Sequence, residues 1–504
     1  MRIKLSQYKA RKVLEFLLLV ILFSPVFLIN IRNNHDWGGD FALYIHQAIN
    51  LVDGKPQTET GYIFNNQYPS LAPQTYPVGF PILLSPVYFL FGNKIIAFSY
   101  FISFILFILA LILYYFYKSH FNKWISLFAV LVIIYNPWTL SFKSEINSDI
   151  PFMLFLIAIF LAYQKLKPDK KEIYKCIMIG LLVGFAILIK SIGIVLIVAV
   201  IIDMAFKVLM LLRGKKQTQI IKNIISNTFI IIGTSAFVYF LINYVLIPST
   251  KEPITFFPRL LNFKNLKDIL LNSLSYYILV FQDFFHPDNG NWNFMPLVTK
   301  AFALAFFILG FIKKCMKNFG ILELYVMGHL IIIFSFPNLS QGFRYLLPIL
   351  PLAIYYIIFG LLSVKLETKI NSKYFIFIIG FLCLLQYSKG ISNILEIQKN
   401  IVIGPQEKQA IEAFNYIKEN TPHNAVIIFI KPTVLSLYAE RKSLTNRYDQ
   451  DIPTIEKKFR EIGANYYLTT TDMQNAPLET FLAEKKDSID LIWSNSRFNL
   501  YKHK

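Results

Sequence analysis

Two acids open the first polar stretch of the chain. In NNHDWGGDFALYIHQAIN, residues 33–50, Asp36 and Asp40 flank a Gly-Gly pair directly after an apolar run. An ionised carboxylate so placed can take a proton from an attacking hydroxyl. A second acidic pair, Glu145 and Asp149, stands in SFKSEINSDIPFMLFL at the entrance of another apolar run. Two isolated cations could meet an anion: Lys190 closes GFAILIK and Arg344 opens RYLLPILPLA. Arginine can grip a phosphate with two parallel hydrogen bonds, and either cation also suits a snorkelling anchor at a membrane edge. Tyr44, Tyr76 and Tyr345 lie in the same stretches and join Asp36, Lys190, Arg344 and His286 as candidate substrate contacts. His286, in FFHPDNG, has no second histidine or acid at metal-ligand spacing, so no metal site is read. No cofactor is expected, and a divalent cation is left open.

The elements that must position these groups can be read locally. Phe41, Tyr44, Ile45, Ala48 and Val52 fall on one helical face. Gly54 is a stop, Asp40 is the expected N-cap and Gly38-Gly39 is the entry, giving a short helix at the membrane surface. Asp40 has two readings: a cap and nothing more, or a carboxylate kept ionised by the helix N-terminus and able to act as a base. Asp36 reads as a solvated loop acid. In YPSLAPQTYPVGFPILLSP, prolines at 69, 73, 77, 81 and 86 argue against a regular helix, yet 78–90 is too apolar for free solution. An interfacial stretch packed on other helices is expected there. Asp149 again reads as an N-cap or as part of a polar site, with Pro151 suited to the first turn.

The bulk composition sets the solvent. The chain has 504 residues, 55% hydrophobic and only 16% charged, which reads as a polytopic α-helical membrane protein. A bilayer core about 30 Å thick needs about 20 apolar residues as helix. Eleven segments qualify as candidates: 13–31, 94–117, 122–140, 149–165, 173–190, 191–212, 222–248, 295–313, 319–337, 343–364 and 373–390. Lysines and arginines concentrate at the N-terminus and in alternate loops, the positive-inside pattern. That pattern puts the N-terminus in the cytoplasm and the acids on the outer face. It also accounts for much of the +20 net charge, so nucleic acid is not needed as a partner. The three cysteines suggest neither a disulfide framework nor a zinc site. A retained first span fits the N-terminus better than a cleaved signal. After about residue 395, helix-period and strand-like runs alternate, predicting a transmembrane domain over 1–394 and a small extracytoplasmic α/β domain over 395–504.

DFALYIHQA, YPVGFPILLSPVYFLFG, SEINSDIPFMLFL and RYLLPILPLA, in this order and followed by an outer α/β tail, carry a family likeness over about residues 10–390. The chain resembles the GT-C type polytopic glycosyltransferases, nearest to the protein O-mannosyltransferase-like group and its bacterial relatives, including the lipid A aminoarabinose transferase. The resemblance implies an enzyme of the bacterial cytoplasmic membrane. Such an enzyme moves a sugar from a polyprenyl-phosphate donor to a glycan, lipid or protein acceptor on the outer face, with inversion. It implies Asp40 as the first-loop catalytic acid, Asp149 or Glu145 as the second, and Lys190 and Arg344 as phosphate contacts. Phe41 follows Asp40, where the eukaryotic protein mannosyltransferases have Glu directly after the Asp. That departure favours the broader bacterial group. The competing readings are a transporter or flippase, or a polymerase or ligase, of lipid-linked sugars, and a non-catalytic scaffold displaying the tail. No internal symmetry supports the transporter.

Overall fold

The computed structural model describes all residues except Met1 and 66–71, 213–217, 248–265, 286–293, 336–341, 365–371, 401–402 and 447–450. His286 lies outside the described residues. The first part of the chain is helical: α1 (Arg2–Phe23), α2 (Asp40–Val52), α3 (Gly79–Phe91), α4 (Ile95–Lys118), α5 (Lys123–Ile134), α6 (Pro137–Ser144), α7 (Asp149–Tyr163), α8 (Ile173–Ile189), α9 (Ile194–Leu212) and α10 (Thr218–Phe240). It continues with α11 (Leu266–Asp283), α12 (Phe294–Asn318), α13 (Ile321–Phe334), α14 (Gly342–Leu346), α15 (Leu350–Ser363) and α16 (Ser372–Lys399).

Every one of the eleven expected segments contains a helix. Among the described residues, five helical stretches are long and apolar enough to cross a membrane, and a sixth if α5 and α6, bent by 51°, count as one span. Others are short: α7 has 15 residues, α8 has 17 and α13 has 14. At about 1.5 Å per residue, α7 runs only about 22 Å. Asp149, at the first position of this short helix, is fully buried.

Close helix pairs follow from small residues, as expected where dispersion rather than water drives association. A Cβ on Gly180 of α8 would lie 2.6 Å from the Thr234 Cβ of α10, and one on Gly184 would lie 2.9 Å from the Ser235 carbonyl. The two glycines are one helical turn apart and let α8 and α10 touch backbone to backbone.

Two local expectations are corrected. Pro81 and Pro86 do not prevent a helix: α3 is continuous over Gly79–Phe91. Pro81 sits in the first turn, where its missing N–H costs nothing, and only Pro86 interrupts the ladder. The helix at 40–52 does not lie with a polar face in solvent. Gln47 and Asn50 are as buried as Phe41 and Ala48, because the following loop folds over them. Asn50 Nδ2 donates to the carbonyls of Pro56 at 3.0 Å and Glu59 at 3.1 Å.

The tail is a five-stranded sheet of order β2-β1-β3-β5-β4, from β1 (Val426–Ile428), β2 (Lys442–Leu444), β3 (Ala464–Thr470), β4 (Ile489–Ser494) and β5 (Phe498–His503). The β1 strand runs parallel to both neighbours, and β5 is antiparallel to β3 and β4. Helices α17 (Lys408–Asn420), α18 (Pro432–Ala439), α19 (Ile452–Glu461) and α20 (Ala476–Glu484) cover it. The strand β2 was not expected; its three residues are too few to show a period. The first loop reaches across to this sheet: Ser443 N donates to Gly61 O and Ile63 N to Ser443 O, both at 2.9 Å.

Candidate active site

Four charged side chains from four separate elements meet in one chain of contacts. Asp149 begins α7 and Arg344 lies in α14, and Arg344 Nε donates to Asp149 Oδ2 at 3.1 Å. The Arg344 Nη1 reaches the other way, to Asp40 Oδ2 at the start of α2. Lys190, in the break between α8 and α9, pairs with Asp149 Oδ1. One guanidinium thus bridges two carboxylates, and one of those carboxylates carries a second cation. Two negative and two positive charges cancel within the cluster.

Both acids were expected as N-caps, and both are one position further in. The caps are Gly39 and Ser148, and neither makes a side-chain cap bond. Each carboxylate instead turns to its cation, a charge-assisted bond roughly twice as strong as a neutral one.

Aromatic groups hold the Asp40 side. Tyr76 OH donates to Asp40 Oδ1 at 2.7 Å. Tyr76 itself is fixed by Gln47, whose Nε2 donates to Tyr76 O at 3.0 Å and whose Oε1 accepts from Tyr76 N at 2.9 Å. The rings of Tyr44 and Tyr76 stack at 4.2 Å, and Tyr44 OH shares a hydrogen bond with Ser148 Oγ at 3.1 Å. Burial, with Asp40 next in weight, raises the Tyr76 phenol well above its usual range, so it stays a donor. On the other side, Lys190 Nζ lies 5.8 Å from the centre of the Tyr345 ring. His329 Nε2 sits 2.8 Å from Tyr345 O and holds that residue in place.

Lys190 owes its place to a glycine. A Cβ on Gly79 would fall 2.6 Å from the Ile189 backbone nitrogen, so only glycine lets α3 pack against the end of α8 at this point. That contact gives YPVGFP a physical meaning.

The remaining candidates stand apart from the four-charge chain. Asp36 accepts from Gly38 N at 2.8 Å and lies 3.2 Å from His35 Nδ1. The His35 bond, with burial opposing it, brings its carboxyl down to about 2. Glu145 follows α6 and accepts from Asn147 Nδ2 at 3.3 Å. Burial is the largest influence on it and lifts its carboxyl to about 7, with Arg344 pulling the other way. Lys143 escaped notice in the sequence. It is fully buried, donates to Ser103 Oγ at 2.9 Å and to Asn30 O at 3.3 Å, and ties α6 to α4 and to the first loop. Its only signal was a lysine between two apolar runs, and its partners lie too far away in sequence to be read. Among the described residues, no group of three His, Cys, Asp or Glu side chains could hold a metal ion.

Residues 75–247, which include Tyr76, Asp149 and Lys190, match the family profile of the dolichyl-phosphate-mannose-protein mannosyltransferases. No curated protein matches the sequence. The fold is shared with ArnT from Cupriavidus metallidurans bound to undecaprenyl phosphate, at 12% identity over 96% of this chain and 97% of that one, TM-score 0.55. The apo state of the same protein gives 13% identity, 97% and 98% coverage and a TM-score of 0.56. The archaeal oligosaccharyltransferase AglB from Archaeoglobus fulgidus, in complex with an inhibitory peptide and a dolichol-phosphate, gives 12% identity, 93% and 70% coverage and a TM-score of 0.55. All of these are GT-C glycosyltransferases, and their fold is the fold of this chain.

Proposed function

We propose that this GT-C chain is an integral membrane glycosyltransferase that moves a sugar from a polyprenyl-phosphate donor to a hydroxyl-bearing glycan, lipid or protein acceptor. The observation that carries the reading is the Asp40–Arg344–Asp149–Lys190 chain. Its four members come from elements that have no packing reason to bring four charges together in so apolar a bundle, where isolated ionisable groups are costly.

The roles follow from the chemistry of transfer. Lys190 and Arg344 receive the phosphate of the donor. An acceptor oxygen attacks the anomeric carbon from the face opposite the phosphate, the sugar–phosphate bond breaks, and its electron pair stays on the phosphate oxygen. The configuration inverts. The acceptor proton passes to Asp40, whose carboxylate has about four lone-pair sites, two of them engaged by Tyr76 and Arg344. A lipid phosphate is already a competent leaving group, so the cations that stabilise its charge matter more than a general acid. Asp149 holds both cations and needs no contact with substrate. On this reading the cluster faces the outer side of a bacterial cytoplasmic membrane, in keeping with the cation pattern of the loops.

The test is transfer by the purified protein from a prenyl-phosphate sugar to candidate acceptors, wild type against Asp40→Asn. Turnover is expected to fall about 100-fold or more, the scale of a lost general base. Unchanged transfer in the variant would remove Asp40 from the mechanism.

A further inference from the structure

The short segment 35–39 that leads into Asp40 is gripped by the C-terminal domain at three points. Trp37 is 7% exposed, and its ring sits among Phe414 of α17, Phe429 just past β1 and Phe498 of β5, with centroids at 6.3, 6.0 and 6.1 Å. Its Nε1 donates to Asp472 Oδ2 at 3.3 Å. Asp472 is braced in turn by Arg497 at 3.2 Å, and Arg497 also pairs with Glu407. Two residues on, Gly39 O accepts from Thr433 Oγ1 at 3.1 Å, at the start of α18. Gly404 lies against the His35 carbonyl so closely that a Cβ there would overlap it.

Between these anchors stands the pair Gly38-Gly39. Glycine gives the backbone maximal freedom, and the local contacts at this entry are the Asp36 carboxylate accepting from Gly38 N at 2.8 Å and the His35 ring stacked on Phe41 at 3.9 Å. The remaining constraint comes from outside, from an aromatic socket and two hydrogen bonds that belong to the tail. Asp40 is the next residue after the last of these bonds. A base must lie within hydrogen-bond reach of the proton it takes, and an error of about 1 Å in a reacting group can cost about 100-fold in rate.

We propose that the C-terminal domain is part of the catalytic unit, with Trp37 as the positioning residue through which the domain sets the place of Asp40. Trp37 touches no substrate; it acts through the backbone of residues 38–40. The inference rests on the reading of Asp40 as base, and it distinguishes a domain that tunes the chemical step from one that only packs on the bundle or only captures acceptor.

The experiment uses the full chain in nanodiscs, as wild type, Trp37→Ala, Trp37→Phe and Thr433→Val. Three quantities are read: kcat and KM for transfer, affinity for undecaprenyl phosphate, and amide exchange over residues 36–44. Trp37→Ala is expected to lower kcat about 10- to 100-fold, to leave undecaprenyl phosphate affinity within about twofold, and to speed exchange at 36–44. Trp37→Phe, which refills the socket without the Asp472 bond, is expected to recover most of the loss. An unchanged kcat, a rise in acceptor KM alone, or a Phe variant no better than Ala would overturn the proposal. Should Trp37→Ala fail to fold, Thr433→Val decides: slower turnover supports the clamp and wild-type turnover refutes it. If wild type neither transfers nor binds the lipid phosphate, the enzymatic reading fails. The clamp as a structural device then stands or falls on the exchange data alone.

Discussion

Replacing Asp149 by Asn separates two effects that usually move together. Asp149 is fully buried and accepts from Lys190 and from Arg344. Breaking a buried ion pair by removing one partner costs about 3–5 kcal/mol. Asparagine keeps one oxygen acceptor for Arg344 or Lys190, so a loss near the lower end, about 3 kcal/mol, is expected. Lipid phosphate binding should move the other way. In the wild type a phosphate must compete with Asp149 for the same donors, and the cluster is neutral before it arrives. The variant leaves one net positive charge. At an effective dielectric constant of about 20, a unit charge about 8 Å away is worth about 2 kcal/mol. Solvent reaches both cations, so about tenfold tighter binding, or about 1.4 kcal/mol, is the expected net. Thermal unfolding in detergent and titration with undecaprenyl phosphate measure the two quantities on one preparation. Turnover should fall despite the tighter binding, because Arg344 loses the partner that orients it toward Asp40. Weaker phosphate binding in step with lower stability would refute the idea that Lys190 and Arg344 form the phosphate site.

Three further outcomes follow. Burial lifts the Glu145 carboxyl to about 7, with Arg344 pulling the other way, so Glu145 gains a negative charge as pH rises through 7. Glu145→Gln should therefore bind undecaprenyl phosphate more tightly than wild type above pH 7 and about equally well near pH 6, and an equal affinity at both pH values would refute this. His46 is lowered to about 4, chiefly by burial and then by Lys55. Its folded value lies below the unfolded 6.5, so the stability it confers is present above pH 6.5 and lost as pH falls toward 4. At about 1.4 kcal/mol per unit the upper bound is about 3 kcal/mol, and His46→Gln should remove that part of the acid sensitivity in denaturation curves. Gly79→Ala should cost about 1–3 kcal/mol, the scale of overpacking, and should weaken undecaprenyl phosphate binding by moving the end of α8 that carries Lys190.

Much of this architecture could be read from the sequence, and the reason is chemical contrast. A charge in a chain this apolar stands out, so Asp40, Asp149, Lys190 and Arg344 could be named before any coordinate was known. Long apolar runs name their own helices for the same reason. What could not be read was pairing. Arg344 lies 304 residues from Asp40 and 195 from Asp149, and nothing local in RYLLPILPLA says that its guanidinium spans both. The same distance hid Lys143 and the Trp37 socket. The misreading of α3 has a different source. Counting prolines ignores their position within a turn, and Pro81 stands where a helix tolerates it. The surface-helix reading of α2 failed because hydrophobic periodicity cannot report that Gln47 and Asn50 spend their polarity on neighbouring backbone.

The pairing that could not be read bears on how the proposed site would work. The polar groups around the site are each spent on a specific partner: Gln47 on Tyr76, Tyr76 on Asp40, Asp149 on two cations, the Gly39 carbonyl on Thr433. A buried polar group without a partner costs about 1–3 kcal/mol, so such a network tolerates few arrangements and holds its members in place. That rigidity is what a transferase with a good leaving group requires. Its barrier is lowered by placing an acceptor oxygen, a carboxylate and two cations in fixed relation. The neutrality of the cluster has the same logic. On the proposed reading, an uncompensated pair of cations would bind the departing phosphate too well to release it, whereas acids that share those cations would reclaim them as the lipid phosphate leaves.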